Sequence, residues 1–172
     1  QPHAYVRRQR QMCIRDRVRL IDHNGKPFKR TTLKNKPSLL FFGFTNCPEI
    51  CPTTLADLSE ITKEITSSVN AINIIFVTLD PKRDNKKHLK DYVQYFGSNI
   101  IGVTGDKVEI KKFAENWGVF YETVNTSNNN YTLNHTATVF MIDELGSFRG
   151  TISWGENKTS VKQKINNLSK LN

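Results

Sequence analysis

The sequence has 172 residues, the length of one domain with a buried core. Apolar residues make up 37% of it, and no stretch approaches the roughly 20 consecutive apolar residues of a membrane helix, so we expect a soluble globular domain. The net charge of +9 does not indicate nucleic-acid binding, because the lysines alternate with Asn, Asp and Glu and no basic and aromatic residues interleave.

Residues 1–17 differ from the rest of the chain in charge and pattern. The stretch QPHAYVRRQRQMCIRDR holds five Arg against one Asp and continues into no periodic pattern. We interpret it as a leader that is disordered or non-native, and residues 18–172 as a single domain. Cys13 has no partner nearby in the sequence, so we assign it no function.

The apolar pattern after the leader predicts alternating strands and helices. VRLIDHNGKPF is typical of a strand and a turn, and PSLLFFGFT of a buried central strand. A helix follows, then the buried strand AINIIFVTLDP, a second helix, the short strand IIGVTG and a third helix. A hairpin of TATVFMID and FRGTISW and a last helix complete the pattern, which predicts an α/β fold with a sheet covered by helices.

Four apolar stripes at helical spacing define these helices. They are Leu55, Leu58, Ile61 and Ile65; Leu89, Tyr92, Val93 and Phe96; Ile110, Phe113, Ala114 and Trp117; and Val161, Ile165 and Leu168. We interpret the stripes at Ile110 and Val161 as core contacts without a further function.

The stretch FGFTNCPEICPTT places two cysteines at the end of the first buried strand. Pro52 suits the first position of a helix, so we predict Cys51 at the helix N-cap and Cys47 in the preceding loop. Free N–H groups and the helix dipole favour a thiolate there, which disulfide exchange and metal binding both need. A structural disulfide or two buried thiols is the alternative, although so short a disulfide loop would add little stability.

A third metal ligand would have to come from the four histidines. His135 lies immediately before a predicted strand; of the others, His3 is in the leader, His23 adjoins a turn and His88 lies on the polar side of a Lys-rich helix. A lone histidine in such a place is more often an ordinary surface residue. Two thiolates and an imidazole suit Cu(I) better than hard cations, but sequence spacing does not show that the three converge.

Four segments together carry a family pattern: FFGFTNCPEICPTTLADLSEI, VTLDPKRDNKKHLKDYVQYF, GVTGDKVEIKKFAENWGVFYE and LNHTATVFMIDELGSFRG. They resemble the Sco/SenC family of copper chaperones for cytochrome c oxidase, over the chain from about residue 18 to its end. The resemblance implies a thioredoxin-like fold with a central mixed β-sheet flanked by helices. It also implies copper, as Cu(I) or Cu(II), bound by Cys47, Cys51 and His135, and a redox disulfide between the two cysteines.

The family resemblance extends to partners and location. It implies delivery of copper to the binuclear copper site of cytochrome c oxidase subunit II, with other copper chaperones or thiol reductants as further partners. It implies the periplasmic side of the bacterial inner membrane, or the mitochondrial inner membrane facing the intermembrane space. A membrane tether is expected from the family, although no stretch of this sequence has the length and apolarity of one.

Two positions depart from the family pattern, and two acidic residues follow it. Asn134 stands where the family has Asp before the histidine, and Val18 where it has Phe in the first strand. A supporting carboxylate is therefore expected to be absent beside the histidine. DPKRD resembles the family's DPxRD element, in which Asp80 and Asp84 either support the ligands or dock a partner, or instead cap turns and the next helix.

A thiol-disulfide oxidoreductase or peroxiredoxin-like peroxidase of the same broad fold is the alternative function. The CxxxC spacing differs from the redox CxxC motif, and no peroxiredoxin context surrounds the cysteines. A dithiol at a helix start can nevertheless exchange electrons. We therefore expect mainly a metallochaperone and leave thiol-disulfide reductase activity open.

Overall fold

The computed structural model describes residues 19–65, 72–126 and 130–170, so the expected leader at 1–17 lies outside the described residues. The strands are β1 (Leu20–Asp22), β2 (Pro27–Phe28), β3 (Ser38–Gly43), β4 (Asn73–Thr78), β5 (Ile100–Gly105), β6 (Tyr121–Thr126), β7 (Asn130–His135), β8 (Thr138–Ile142) and β9 (Phe148–Ser153). The helices are α1 (Ile50–Ile65), α2 (Lys86–Phe96), α3 (Lys107–Asn116) and α4 (Lys158–Ser169), with a 3₁₀ turn at Arg30–Leu33.

Seven strands form one mixed sheet in the order β2-β1-β5-β4-β3-β8-β9. β3, β4 and β5 run parallel, whereas β1 pairs antiparallel with β5 and β8 antiparallel with β3. The parallel strands are joined through helices, as crossover connections require. The predicted α/β fold with a central mixed sheet is therefore confirmed.

The core lies on both faces of the central strand β3, whose six residues are all buried. Successive side chains of a strand point to opposite faces. The Phe42 ring lies 5.6 Å from that of Phe113 in α3, and the Phe41 ring lies 6.0 Å from that of Phe76. Phe76 in turn packs against Tyr92 of α2 at 5.6 Å. Helices thus cover both faces, which explains why β3 is a continuous apolar run.

The edge at the carboxyl ends of β3 and β4 carries both motifs of interest. Gly43 pairs with Thr78 at this edge, and the Leu79 amide donates to the Gly43 carbonyl at 2.7 Å. The cysteine loop and the DPKRD segment therefore emerge side by side. Within the described ranges, no helix has the length and apolarity to cross a membrane.

A two-stranded sheet of β6 and β7 was not predicted from the sequence. Its residues YETVNT and NYTLNH are mostly exposed or half-buried on both faces, so they lack the apolar alternation that reveals a half-buried strand. This hairpin positions His135, which ends β7 and lies opposite Tyr121 in β6. The histidine is therefore at a strand end, in a different sheet from the cysteine loop.

Candidate metal centre

The loop after β3 and the first turn of α1 position the two cysteines. Helix α1 begins at Ile50, so the predicted N-cap at Cys51 is wrong: Cys51 and Pro52 both lie inside the first turn. Proline is tolerated there because first-turn N–H groups have no partner within the helix. One of these groups, the Cys51 amide, donates to Cys47 Sγ at 3.4 Å. Both thiols are free and buried.

Gly43, the last residue of β3, allows the Cys51 sulfur to approach the sheet. A Cβ atom at this position would lie 2.6 Å from Cys51 Sγ and 2.8 Å from Cε2 of Phe76. Both distances are shorter than van der Waals contact, and neither neighbour is free to move, because Cys51 and Phe76 are fully buried. The absence of a side chain at position 43 therefore sets where the Cys51 thiol lies.

His135 reaches the cysteine pair from the end of β7. Its Nε2 atom lies 3.5 Å from Cys51 Sγ, and its Nδ1 atom lies 3.2 Å from the Thr136 carbonyl oxygen. A carbonyl only accepts, so Nδ1 carries the proton and Nε2 is left with a lone pair facing the sulfur. The ring also packs against the rings of Phe41 and Phe44, at 6.4 and 5.7 Å between centroids. Packing and hydrogen bonding together fix its orientation.

Three ligand atoms converge in this arrangement. One atom from each of Cys47, Cys51 and His135 lies within 4.8 Å of the other two, although 84 residues separate Cys51 from His135. Bonds of about 2.3 Å to sulfur and about 2.0 Å to nitrogen, as in zinc sites, place ligand atoms roughly 3.3 to 4 Å apart. A soft monovalent ion such as Cu(I) fits the two thiolates and one imidazole after small side-chain shifts.

The two thiols differ in acidity, because the pKa of Cys47 is lowered and that of Cys51 is raised. The pKa of Cys47 is lowered to about 4, chiefly by the hydrogen bond from the Cys51 side chain and also by the backbone N–H groups of Cys51 and Glu49, against the opposing effect of burial. The same hydrogen bond, together with burial, raises the pKa of Cys51. At neutral pH the pair therefore carries one negative charge, on the sulfur nearer to solvent.

Asp84 lies beside the cluster and holds the loop that carries Cys47. Its carboxylate is 1% exposed and accepts hydrogen bonds from the Thr45 amide at 3.0 Å and the Thr45 hydroxyl at 2.6 Å. The hydroxyl of Thr78, at the end of β4, donates to the same carboxylate at 2.6 Å. Asp84 thus joins the ends of two parallel strands and does not cap α2, whose N-cap is Asn85.

Asp80 holds the hairpin that carries His135. Its carboxylate accepts from Arg83 Nε and, at 2.8 Å, from the Tyr131 hydroxyl of β7. The Arg83 guanidinium stacks on the Tyr131 ring 3.8 Å from its centroid and donates to the Tyr131 carbonyl at 3.0 Å. Neither Asp80 nor Asp84 is among the three converging residues; each contacts the segment that carries one of them.

The remaining candidates of the sequence lie elsewhere. His23 Nδ1 accepts from the Gly102 amide at 2.9 Å, and Asn134 donates to Glu122 of the neighbouring strand at 3.3 Å, on the exposed side of the hairpin. His3 and Cys13 lie outside the described ranges. Sequence reasoning missed Thr45 and Tyr131. The position of Thr45 inside the cysteine motif could have indicated a role at the site. Nothing in the polar sequence around Tyr131 indicated one.

Comparison with known proteins identifies one family. The SCO1/SenC family model matches residues 7–170, which begins inside the stretch that we interpret as a leader. An SCO2-like protein of Rickettsia felis is 40% identical over 131 residues, covering 75% of this chain and 64% of that protein. The mitochondrial SCO2 protein of Saccharomyces cerevisiae is 34% identical over 149 residues, covering 85% of this chain and 50% of that protein. The chain thus spans less than two thirds of either relative.

Solved structures share the fold. Copper-bound ScoI of Arabidopsis thaliana has a TM-score of 0.82 at 28% identity, over 86% of this chain and 92% of that one. Copper-bound ScoI of Bradyrhizobium japonicum has a TM-score of 0.78 at 33% identity, over 87% and 95%. BsSco, described as a member of the Sco family of cytochrome c oxidase assembly proteins, matches in fold at 23% identity with a TM-score of 0.67, over 89% and 91%.

Proposed function

The chain belongs to the SCO1/SenC family, and on that premise we propose that it is a copper metallochaperone. The observation that carries the proposal is the convergence of two thiols and one imidazole within 4.8 Å at an edge of the sheet. Related ScoI proteins of two organisms have been solved with copper bound. In our proposal Cys47, Cys51 and His135 bind the copper ion, which is cargo and not a resident cofactor.

The donor set favours Cu(I) as the cargo. Two thiolates and a neutral imidazole hold a monovalent ion in a site of net charge −1, and soft sulfur ligands select Cu(I). Cys47 is already a thiolate at neutral pH because its pKa is about 4, whereas Cys51 releases its proton on binding. A site with three ligands also leaves room for an incoming thiolate, which allows transfer by ligand exchange. The same site would also bind Cu(II), which suits soft sulfur ligands less well than Cu(I) does.

In this proposal Asp80 and Asp84 do not bind copper but position the segments that carry its ligands. Asp84 fixes the loop before Cys47, and Asp80 fixes the hairpin that ends at His135. Both carboxylates are buried, at 5% and 1% exposure, so neither is available for docking a partner. We therefore prefer the supporting role to the docking role.

The receiving protein that we propose is subunit II of cytochrome c oxidase, at its binuclear copper site. The supporting observation is that BsSco belongs to a family of cytochrome c oxidase assembly proteins. The yeast relative is mitochondrial. These two points favour the periplasmic side of a bacterial inner membrane or the mitochondrial intermembrane space, where a cysteine pair must be kept reduced to bind metal.

A second function, thiol-disulfide exchange on partner cysteines, is favoured by the state of Cys47. Its low pKa makes it a thiolate at neutral pH, and the Cys51 thiol lies next to it as a resolving group. Two electrons and two protons would pass from the dithiol to a partner disulfide, which leaves a Cys47–Cys51 disulfide and a reduced partner. The same dithiol thus serves metal binding and reduction, but not both at once.

His135→Ala separates the two functions. The imidazole supplies one of three bonds to copper but no electrons to a disulfide, so we expect Cu(I) affinity to fall at least about tenfold while the fold persists. Equilibrium titration against a competing chelator gives the affinity, and circular dichroism reports the fold. A Cys47→Ser, Cys51→Ser double variant is the reference for a lost site. Stoichiometric Cu(I) binding by that double variant would refute the metallochaperone proposal, and unchanged affinity in His135→Ala would remove the histidine from the site.

A further inference from the structure

We propose that Thr45 is a positioning residue for the copper site, held by Asp84 on one side and His88 on the other; the inference rests on the proposed copper function. Thr45 lies in the loop after β3, two residues before Cys47. Its amide and hydroxyl groups donate to the two oxygens of the Asp84 carboxylate, at 3.0 and 2.6 Å. Both the backbone and the side chain of Thr45 are therefore hydrogen-bonded to Asp84.

The hydrogen positions in this network follow from the acceptors. The Thr45 hydroxyl has one hydrogen, and its 2.6 Å contact with Asp84 uses it, because a carboxylate only accepts. A second acceptor, Asn46 Oδ1, is farther away at 3.3 Å. The 2.9 Å contact between His88 Nε2 and Thr45 Oγ1 must then be donated by the histidine. His88, Thr45 and Asp84 therefore form a directed chain of hydrogen bonds that ends on the buried carboxylate.

The carboxylate that receives this chain is itself fixed. The Asp84 amide donates to the Asp80 carbonyl at 2.9 Å, and its carbonyl accepts from the Thr104 hydroxyl at 3.3 Å. The Thr78 hydroxyl completes the contacts at 2.6 Å. Strands β4 and β5 thus hold Asp84 in place, and Thr45 is fixed relative to the sheet rather than only to its own loop.

His88 connects helix α2 to the same hydrogen-bond network. It lies in the first turn of α2, where its own amide donates to the capping side chain of Asn85 at 2.9 Å. The exposed imidazole then reaches across to Thr45. Helix α2 and the cysteine loop are therefore joined on the solvent side.

A shift of Thr45 would be passed on to both sulfur atoms. The Cys47 amide donates to the Phe44 carbonyl at 3.2 Å, which closes a turn that contains Thr45. Cys47 Sγ in turn accepts from the Cys51 amide at 3.4 Å. A ligand displaced by as little as an ångström no longer meets the geometry that a three-coordinate ion needs. Thr45 thus acts on the metal through Cys47 and does not touch it.

Thr45→Val and Thr45→Ser test the inference. Valine keeps the shape but removes the hydroxyl, so Asp84 and His88 each lose a partner; serine keeps the hydroxyl. In the metal-free protein we expect amide hydrogen exchange at residues 44–51 to be at least about tenfold faster in the valine variant, and Cu(I) affinity to fall about tenfold. Thr45→Ser should restore both quantities, which a role in overall stability alone would not require.

Ser59→Ala is the matched control. Its hydroxyl donates to the Phe96 carbonyl at 2.7 Å, so this variant loses a part-buried hydrogen bond away from the cysteine loop. Its stability should fall, with exchange at 44–51 and Cu(I) affinity unchanged. His88→Ala should also speed amide exchange at 44–51 and lower Cu(I) affinity. His88→Gln keeps a hydrogen-bond donor and should reverse part of both changes.

The outcomes separate this inference from the function on which it rests. Unchanged exchange at 44–51 in Thr45→Val, or no recovery in Thr45→Ser, would overturn the positioning role. Equal losses of affinity in Thr45→Val and Ser59→Ala would overturn it too, because stability alone would then explain them. If the wild-type protein failed to bind Cu(I), the proposed function would fall, whereas the exchange measurements on the metal-free protein would still decide whether Thr45 holds the loop.

Discussion

At the scale of single residues, the cysteine pair is chemically asymmetric. Cys47 has a thiolate stabilised by the Cys51 side chain and two backbone N–H groups, whereas Cys51 is buried without exposure and remains protonated. This division follows from the burial of one sulfur and the donors around the other. The two cysteines of the motif therefore differ in reactivity although their sequence contexts are nearly the same.

The asymmetry predicts how alkylation depends on pH. With a pKa of about 4, Cys47 stays a thiolate above that value, so its rate of reaction with iodoacetamide should be nearly constant from pH 6 to 9 and decline only as the pH approaches 4. Mass spectrometry should find Cys51 unmodified. Cys51→Ala removes the largest cause of the low pKa and should restore a rate that rises up to about pH 8. The same rising profile in the wild-type protein would contradict the assignment.

Gly43 is the residue whose substitution tests the packing of Cys51. In Gly43→Ala the new methyl group would meet the sulfur at 2.6 Å, so we expect a loss of about 1 to 3 kcal/mol in the free energy of unfolding together with weaker Cu(I) binding. Gly102→Ala is the control, because its Cβ would meet Leu89 Cγ at a comparable 2.7 Å, away from the cluster. Denaturant unfolding and chelator competition should show that both variants lose stability and that only Gly43→Ala loses affinity.

At the scale of elements, the β6–β7 hairpin carries His135 and is largely exposed or half-buried. Most of its residues are exposed or half-buried, and Leu133 is its one buried residue among those described. Polar contacts of Tyr131 with Asp80 and Arg83 also hold the hairpin. An element held in this way can open without unfolding the central sheet. In the site that we propose, opening of the hairpin would separate His135 from a copper ion that Cys47 and Cys51 still bind.

Tyr131→Phe tests this anchor. The variant loses the 2.8 Å hydrogen bond to the Asp80 carboxylate, which is worth about 1.5 to 3 kcal/mol because its acceptor is charged. Amide exchange in β7 should become faster while exchange in β3 and β4 stays unchanged, and Cu(I) affinity should fall severalfold. Tyr95→Phe, the same change at a phenol that is 85% exposed, should alter none of these. Uniformly faster exchange in all strands would argue against a locally anchored hairpin.

At the scale of the whole molecule, the site joins three separate parts of the chain at one edge of the sheet. The loop after β3, the first turn of α1 and the end of β7 each contribute one of the converging residues. An ion bound to all three stabilises the native state only, since the unfolded chain does not hold them together. Copper binding should therefore be coupled to global stability.

Cu(I) should accordingly raise the melting temperature. At free Cu(I) a hundredfold above Kd, the native state gains about 2.7 kcal/mol, which corresponds to roughly 5 to 10 °C for a domain of this size. Calorimetry under anaerobic conditions gives the shift. The Cys47→Ser, Cys51→Ser double variant should show none; an equal shift in that variant would mean that the ion binds elsewhere.

The sequence by itself determined the parts of the fold that depend on local pattern. Buried strands and amphipathic helices repeat their apolar residues at fixed spacings, so β3, β4, β5, β8, β9 and all four described helices were predicted. The cysteine motif and its family resemblance identified the candidate ligands in the same way. The polar β6–β7 hairpin was not predicted, because neither of its faces is consistently buried and its apolar residues therefore follow no period.

Only the tertiary structure decided that the candidates meet. Cys51 and His135 are 84 residues apart, and their 3.5 Å contact depends on how the hairpin folds back over the sheet edge, which no local spacing encodes. Asp80 and Asp84 likewise fit several roles in the sequence, and only the structure shows that the Thr45 hydroxyl donates to Asp84 and the Tyr131 hydroxyl to Asp80. The physical reason is that burial follows from short-range pattern, whereas distances between remote side chains follow from strand order and crossover geometry.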